Sequence, residues 1–347
     1  MARRQNPEID SFILGNVEEH PVDVVSLTAG KFGLSRSSIN RYVRRLIDDG
    51  LLVAEGKTKA RHYKLRNIVN ETFKIEGITK NLSEDTVWRY RVLPFLNDVP
   101  QNIIDICQYG FTEMFNNVID HSVSESAVVS IERTAATTDI SVRDFGVGVF
   151  QKIQNDFNLP DPQSALLELS KGKLTSDKAN HAGEGIFLTS RMFDEFSLLS
   201  GGLSYIKTRT DDFEWLIETG DTESEFIGTN VRMAISNSAP WTTKRVFAEF
   251  LGDAIGYRKT QVSIKLGKYP GEQLVSRSQA KRILARFDEF SEVTLDFEGI
   301  DTIGQAFADE VFRVFGNNHP DIELFALNAN EDVQMMIDHV RSQQTKA

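Results

Sequence analysis

The chain has 347 residues, too many for one compact domain, and its 40% hydrophobic and 26% charged residues suit a protein that buries sizeable cores. No apolar run approaches the roughly 20 residues of a membrane span, the basic start Met1–Glu8 has no apolar stretch behind it, and the lone Cys107 excludes an internal disulfide or a cysteine-based zinc site. We therefore expect a cytoplasmic protein with no membrane partner. The net charge of −11 is unevenly spread: residues 1–66 hold 12 Lys and Arg against 8 Asp and Glu, the remainder 27 against 42. A basic head on an acidic body implies that only the head meets a polyanion.

The head, residues 1–66, opens with a predicted helix over Pro7–Asn16 and a second over Val22–Phe32, stopped by Gly33. Ser35 is placed to cap a third helix running to about Asp49, whose Ile39, Val43, Leu46 and Ile47 recur at helical spacing. Arg36, Ser37, Asn40, Arg41, Arg44 and Arg45 would then face outward. Two short strands, Leu51–Glu55 and Arg61–Leu65, flank the basic turn Gly56-Lys57-Thr58-Lys59. Helix, helix, turn, basic helix and basic hairpin is an order that resembles winged helix–turn–helix DNA-binding domains. By that resemblance the third helix enters the major groove, with Ser37, Ser38, Asn40 and Arg41 at base edges. Arg44, Arg45, Lys57, Lys59 and Arg61 would meet phosphates. A solvated charged face or a protein-contact module is the alternative.

Residues 67–236 mix long helical stretches with strands and hold most of the glycine motifs. In Phe111–His121 the residues Glu113, Asn117 and His121 stand four apart, so they project from one helix face, while Phe111, Phe115, Val118 and Ile119 supply the buried side. A carboxylate and an amide one turn apart suit a hydrated magnesium. Ile140–Gly148 is a strand ending in Asp144-x-Gly146-x-Gly148; a carboxylate there can accept the exocyclic amine of adenine, and the glycines let backbone approach the base. Gly183-x-Gly185 opens an apolar helical run and offers bare N–H groups to phosphate. Gly228-Thr229 begins a last strand.

Four such pieces in this order resemble the boxes of the GHKL, or Bergerat-fold, ATPases, over roughly residues 80–236. The resemblance implies an α/β sandwich that binds ATP with Mg2+. It gives Asn117 the magnesium, Glu113 the attacking water or acceptor hydroxyl, and Asp144 the adenine amine, with Thr229 in support. Gly146, Gly148, Gly183 and Gly185 would line the base pocket and phosphates, and His121 would orient Glu113 or a phosphate. Ser170–His181 occupies the place of the family's ATP lid; Lys171 is named for the phosphate contact, standing for itself, Lys173 and Lys178. No helical hairpin presenting a phosphoacceptor histidine precedes these boxes, which disfavours an autokinase.

Residues 237–257 read as a connecting helix, with Pro240 near its first turn. Residues 258–347 alternate strands (Gln261–Leu266, Val293–Phe297, Ile322–Leu327) with helices (Ser278–Phe290, Thr302–Phe315, Glu331–Arg341). Val293–Glu310 resembles the strand–turn–helix core of STAS domains, although Thr302, a helix-cap candidate, stands where that family has a phosphorylated serine. The expectation is thus a multidomain α+β regulator in which a nucleotide switch is coupled to duplex DNA and to a STAS-like module with a protein partner. A serine/threonine kinase of the anti-sigma type and a hydrolytic ATPase that dimerises are the rival expectations.

Overall fold

Three helices and a hairpin make up the head. In a computed structural model describing residues 6–57, 60–174, 183–209, 214–218, 227–251, 259–269 and 271–344, α1 (Pro7–Asn16), α2 (Val24–Phe32) and α3 (Arg36–Asp48) precede β1 (Leu52–Glu55) and β2 (His62–Leu65). Each boundary has a local cause. The Asn6 side chain accepts from the Glu8 N–H ahead of Pro7, Gly33 ends α2 at φ +63, and the Ser35 hydroxyl accepts from the Ser38 N–H. Ile9, Ile13, Ile39, Val43 and Leu46 form a core of the head's own.

The next unit is built on a seven-stranded antiparallel sheet in the order β3-β4-β5-β9-β6-β7-β8. Its strands are β3 (Val69–Glu76), β4 (Ser126–Arg133), β5 (Thr137–Asp144), β6 (Glu195–Ser200), β7 (Leu203–Thr208), β8 (Glu214–Glu218) and β9 (Thr229–Ser236). Strict alternation of buried and half-buried residues along β9 marks one covered face. The short α4 (Glu84–Val87) and then α5 (Gln101–Asn117) follow β3; α6 (Val149–Phe157), α7 (Pro162–Lys171) and α8 (Gly185–Met192) lie between β5 and β6. Phe111 and Phe115 of α5 stack at 5.4 Å and are fully buried. Beyond Asn117 the chain does not continue as a regular helix. It widens into a π-type turn, Val118–Ser122, closed by the Ser122 hydroxyl on the Val118 carbonyl and ended by Val123 at φ +61.

The connector begins later than its sequence suggests: α9 spans Thr243–Leu251, capped by Thr242, with Pro240 ahead of it. Residues 252–257 of the expected connecting helix lie outside the described residues. Trp241 donates to the Met192 carbonyl, and Asn102 of α5 donates to the carbonyls of Ala239 and Trp241, so this segment is tied to the helices beneath it.

In the C-terminal unit β10 (Lys259–Ser263), β11 (Glu292–Asp296) and β12 (Glu323–Leu327) form a parallel sheet in that order. Around it lie α10 (Arg277–Leu284), α11 (Gln305–Ala308), which continues through wide turns over Asp309–Phe315 into α12 (Gly316–Asn318), and α13 (Glu331–Gln344). Two expectations are corrected. The helix over Ser278–Phe290 stops at Leu284, because Ala285 leaves helical geometry and Arg286 turns to φ +62. Thr302 does not cap a helix, since α11 starts after Gly304 and Thr302 stands exposed. The sheet unit and the C-terminal unit share one continuous hydrophobic core, separate from the head's. Among the described residues no helix is long and apolar enough to cross a membrane.

Candidate functional site

A cavity of about 440 Å3 opens between α5, α6, α8 and the ends of β5 and β9. Its lining brings together Glu113, Asn117, His121, Asp144, Gly148, Gly183, Gly185 and Thr229, residues predicted separately from four stretches of sequence. The irregular turn after Asn117 alters the spacing of the first motif, yet His121 still faces the same cavity.

Asp144 ends β5 and is buried, the residue being 4% exposed. It accepts from the Gly146 N–H at 2.8 Å, while Thr229, whose hydroxyl accepts from the Val149 N–H at 3.0 Å, holds the other side. Burial pushes the Asp144 carboxyl above the usual carboxylate range, and the hydrogen bonds from Gly146 and Thr229 oppose that shift. Gly146 does not line the cavity. It supports Asp144 from behind, with its backbone so close to the Ser122 carbonyl that a Cβ would collide with it. Gly148 (φ +82) opens α6, where a Cβ would come within 2.6 Å of the Ser200 hydroxyl.

At the other end of the cavity Gly185 opens α8, and a Cβ there would overlap the Glu113 carboxylate. The N-cap residue Glu184 makes no side-chain cap, so the first N–H groups of α8 are not covered by it. Burial raises the Glu184 carboxyl, and Lys173 opposes the shift. Tyr109, one turn before Glu113, has its phenol raised first by burial and then by the charges of Glu113 and Glu184. The cavity thus offers a buried, hydrogen-bonded carboxylate at its floor, and a helix N-terminus beside a second carboxylate at its rim. Such a site can accept an N–H from a planar group below and hold an anion above.

One residue expected here is elsewhere. Lys171 is fully buried, its ammonium donates to Glu168 at 2.6 Å and to the Ala285 carbonyl at 2.8 Å, and it contributes nothing to the cavity. Lys173 turns to the Glu289 carbonyl, and Lys178 lies outside the described residues. A cation that does line the cavity, Lys152 on α6, was missed; its sole signal was a lysine one turn after Gly148, paired with Asp156 at 3.1 Å. Tyr109, Glu184 and the apolar Ile153 also went unread.

The head presents a second candidate surface. Arg36, Ser37, Arg41 and Arg44 are exposed on α3, Asn40 is half-buried, and Lys57 and Arg61 are exposed at the hairpin. Lys59 lies outside the described residues. Arg45, expected among the outward cations, instead pairs with Asp10 of α1 and lies over the Tyr42 ring, which withdraws it from a phosphate role.

Comparison with known proteins speaks for the C-terminal unit. A family model described as a STAS-like domain of unknown function (DUF4325) matches residues 279–334. The tail is STAS-like. No curated protein matches the chain. Within the STAS-like module the match runs from α10 through β11 and β12 into α13, and it includes Arg286 and the exposed Thr302.

Proposed function

We propose that the chain is an ATP-binding regulator whose nucleotide sits in the cavity between α5 and α8. The observation that carries this reading is the convergence of Asp144 with Glu113 and Asn117 on one cavity, the floor carboxylate being buried and oriented by Gly146 and Thr229. A buried acceptor of that kind suits an exocyclic amine such as adenine's and disfavours a carbonyl in the same place. The apolar walls, among them Val142, Ile153 and Val231, suit a flat ring. Phosphates would then run towards the start of α8 and Lys152. Magnesium, which keeps water and phosphate oxygens as most of its ligands, would take the Asn117 amide from the protein. Glu113, beside it, is the group to polarise an attacking oxygen.

Duplex DNA is the proposed partner of the head, on the strength of the exposed Arg36, Arg41 and Arg44 along one helix and of the basic hairpin. The decisive experiment concerns the cavity. Asp144→Asn should weaken ATP binding by about 1–3 kcal/mol, the scale of a hydrogen bond to a charged group, with GTP weak for the wild type. Calorimetry on folded protein checks it, and undiminished ATP affinity in the variant overturns the adenine assignment.

A further inference from the structure

Where the STAS-like module meets the sheet unit, the contact is polar and buried. Arg286 of the module, held at φ +62 between α10 and the next turn, sends its guanidinium into the sheet unit. It donates to the Glu168 carboxylate at 3.1 Å and to the carbonyls of Gly172 and Lys173 at 3.2 and 2.8 Å, with Glu289 completing the set at 2.8 Å. Around it Lys171 donates to the Ala285 carbonyl, Lys173 to the Glu289 carbonyl, and Thr260 of β10 to the Lys171 carbonyl. On α8 the buried Arg191 lies over the Phe187 ring and donates to the Gln261 carbonyl of β10. The gripped carbonyls directly precede Leu174, which lines the cavity and whose N–H donates to the Gly183 carbonyl at 3.1 Å. Gly183, Glu184 and Gly185 line the cavity too. The module therefore holds the C-terminal end of α7, where the chain becomes cavity wall, and grips α8 from its last turn through Arg191.

We propose that Arg286 is a positioning residue for the nucleotide site, and that the STAS-like module is its built-in regulator. The guanidinium fork fixes the Gly172 and Lys173 carbonyls, they fix Leu174 against Gly183, and that pair places the start of α8. A planar fork with several acceptors specifies one geometry, which a lysine or an amide cannot reproduce. A non-glycine residue in left-handed backbone persists only where its surroundings hold it there, as they do here on two sides. Linkage then works in both directions: a ligand that needs this wall tightens the docking of the module, and a partner that loosens the module weakens the ligand. This inference rests on the ATP reading of the cavity.

The test uses the full chain with ATP and magnesium. Arg286→Gln should weaken ATP binding about tenfold, within the usual 5–150-fold range of such coupling, and Arg286→Lys by less. In the wild type, ATP should slow amide hydrogen exchange in α10 and β11, neither of which lines the cavity, and in Arg286→Gln that response should vanish. A merely structural arginine would lower the melting temperature and leave both the ATP affinity and the exchange response at wild-type values; that result overturns the proposal. If Arg286→Gln does not fold, Arg286→Lys decides, and wild-type affinity with a wild-type exchange response again overturns it. ATP binding without any exchange response in the wild-type module refutes the coupling alone. No ATP binding by the wild type refutes the ATP reading and the coupling with it.

Discussion

The head and the STAS-like module are attached to the sheet unit in opposite ways. The module shares a hydrophobic core with that unit and is joined to it through buried charges, whereas the head keeps a core of its own and carries its cations outward. A buried ionic contact contributes less to stability than an apolar one of the same size, but it tolerates few alternative arrangements. An exposed arginine row fixes no arrangement and is available to a partner. Under the proposed reading, the first arrangement transmits geometry and the second meets a partner.

The difference is tested most severely at Glu168, which accepts from both Lys171 and Arg286. Glu168→Ala leaves a buried ammonium without its carboxylate and should destabilise the body by about 3–5 kcal/mol. By thermal unfolding this should lower the midpoint on the order of 10 °C. Replacing Lys171 as well, by Met, should recover part of the loss, because the uncompensated charge is then gone. In the head, Arg45→Ala removes a partly buried pair with Asp10 and should cost on the order of 1 kcal/mol. Equal losses at the two places would erase the distinction.

Asp144 gives a pH test with two opposite signs. Its folded carboxyl titrates above its ordinary value, so between the two values the folded chain holds a proton that the unfolded chain has released. The Asp144 share of stability is therefore fully present below the ordinary value and is lost as pH rises through the raised one. The ionised form accepts an adenine amine more strongly than the protonated one, so ATP affinity should fall over that same window as pH is lowered. Calorimetry and thermal unfolding as pH is raised from about 4, the ordinary aspartate value, check both trends against Asp144→Asn, which should flatten each. ATP affinity that rises on acidification would contradict the role of Asp144 as acceptor.

Much of this was legible in the sequence where local chemistry sets the outcome. Asn6, Pro7, Gly33 and Ser35 bound the head helices within one or two residues because caps and glycines act on their neighbours. The cavity residues were legible because each motif carries its own reason, a carboxylate at a strand end or a glycine opening a helix. What the sequence hid is what depends on distant partners. Lys171 reads as a loop cation, yet its acceptor Ala285 lies 114 positions away. Arg286 at φ +62 has no local signature, so α10 was drawn too long. The spacing of Glu113, Asn117 and His121 reads as one regular helix, and it carries no local sign of the wide turn over Val118–Ser122 or of Val123 at φ +61.

The finest distinction lies within the head, between two adjacent arginines. Arg44 is exposed on α3, whereas Arg45 turns back onto Asp10. Each phosphate neutralised on duplex DNA releases about 0.9 of a counterion, so affinity for DNA must fall as salt rises. Arg44→Ala should flatten the slope of log affinity against log salt by about one unit, on every sequence alike. Arg45→Ala should leave the slope as it is and lower the melting temperature of the head instead, which no reading of α3 as a uniform basic face would predict. Salt titrations of the full chain against a mixed-sequence duplex, run on both variants and the wild type, separate these outcomes. Equal flattening by both would mean that the pair with Asp10 opens on DNA. No binding at low salt would make the head a protein-contact module, and its exposed arginines would then be sought on the acidic surface of a protein.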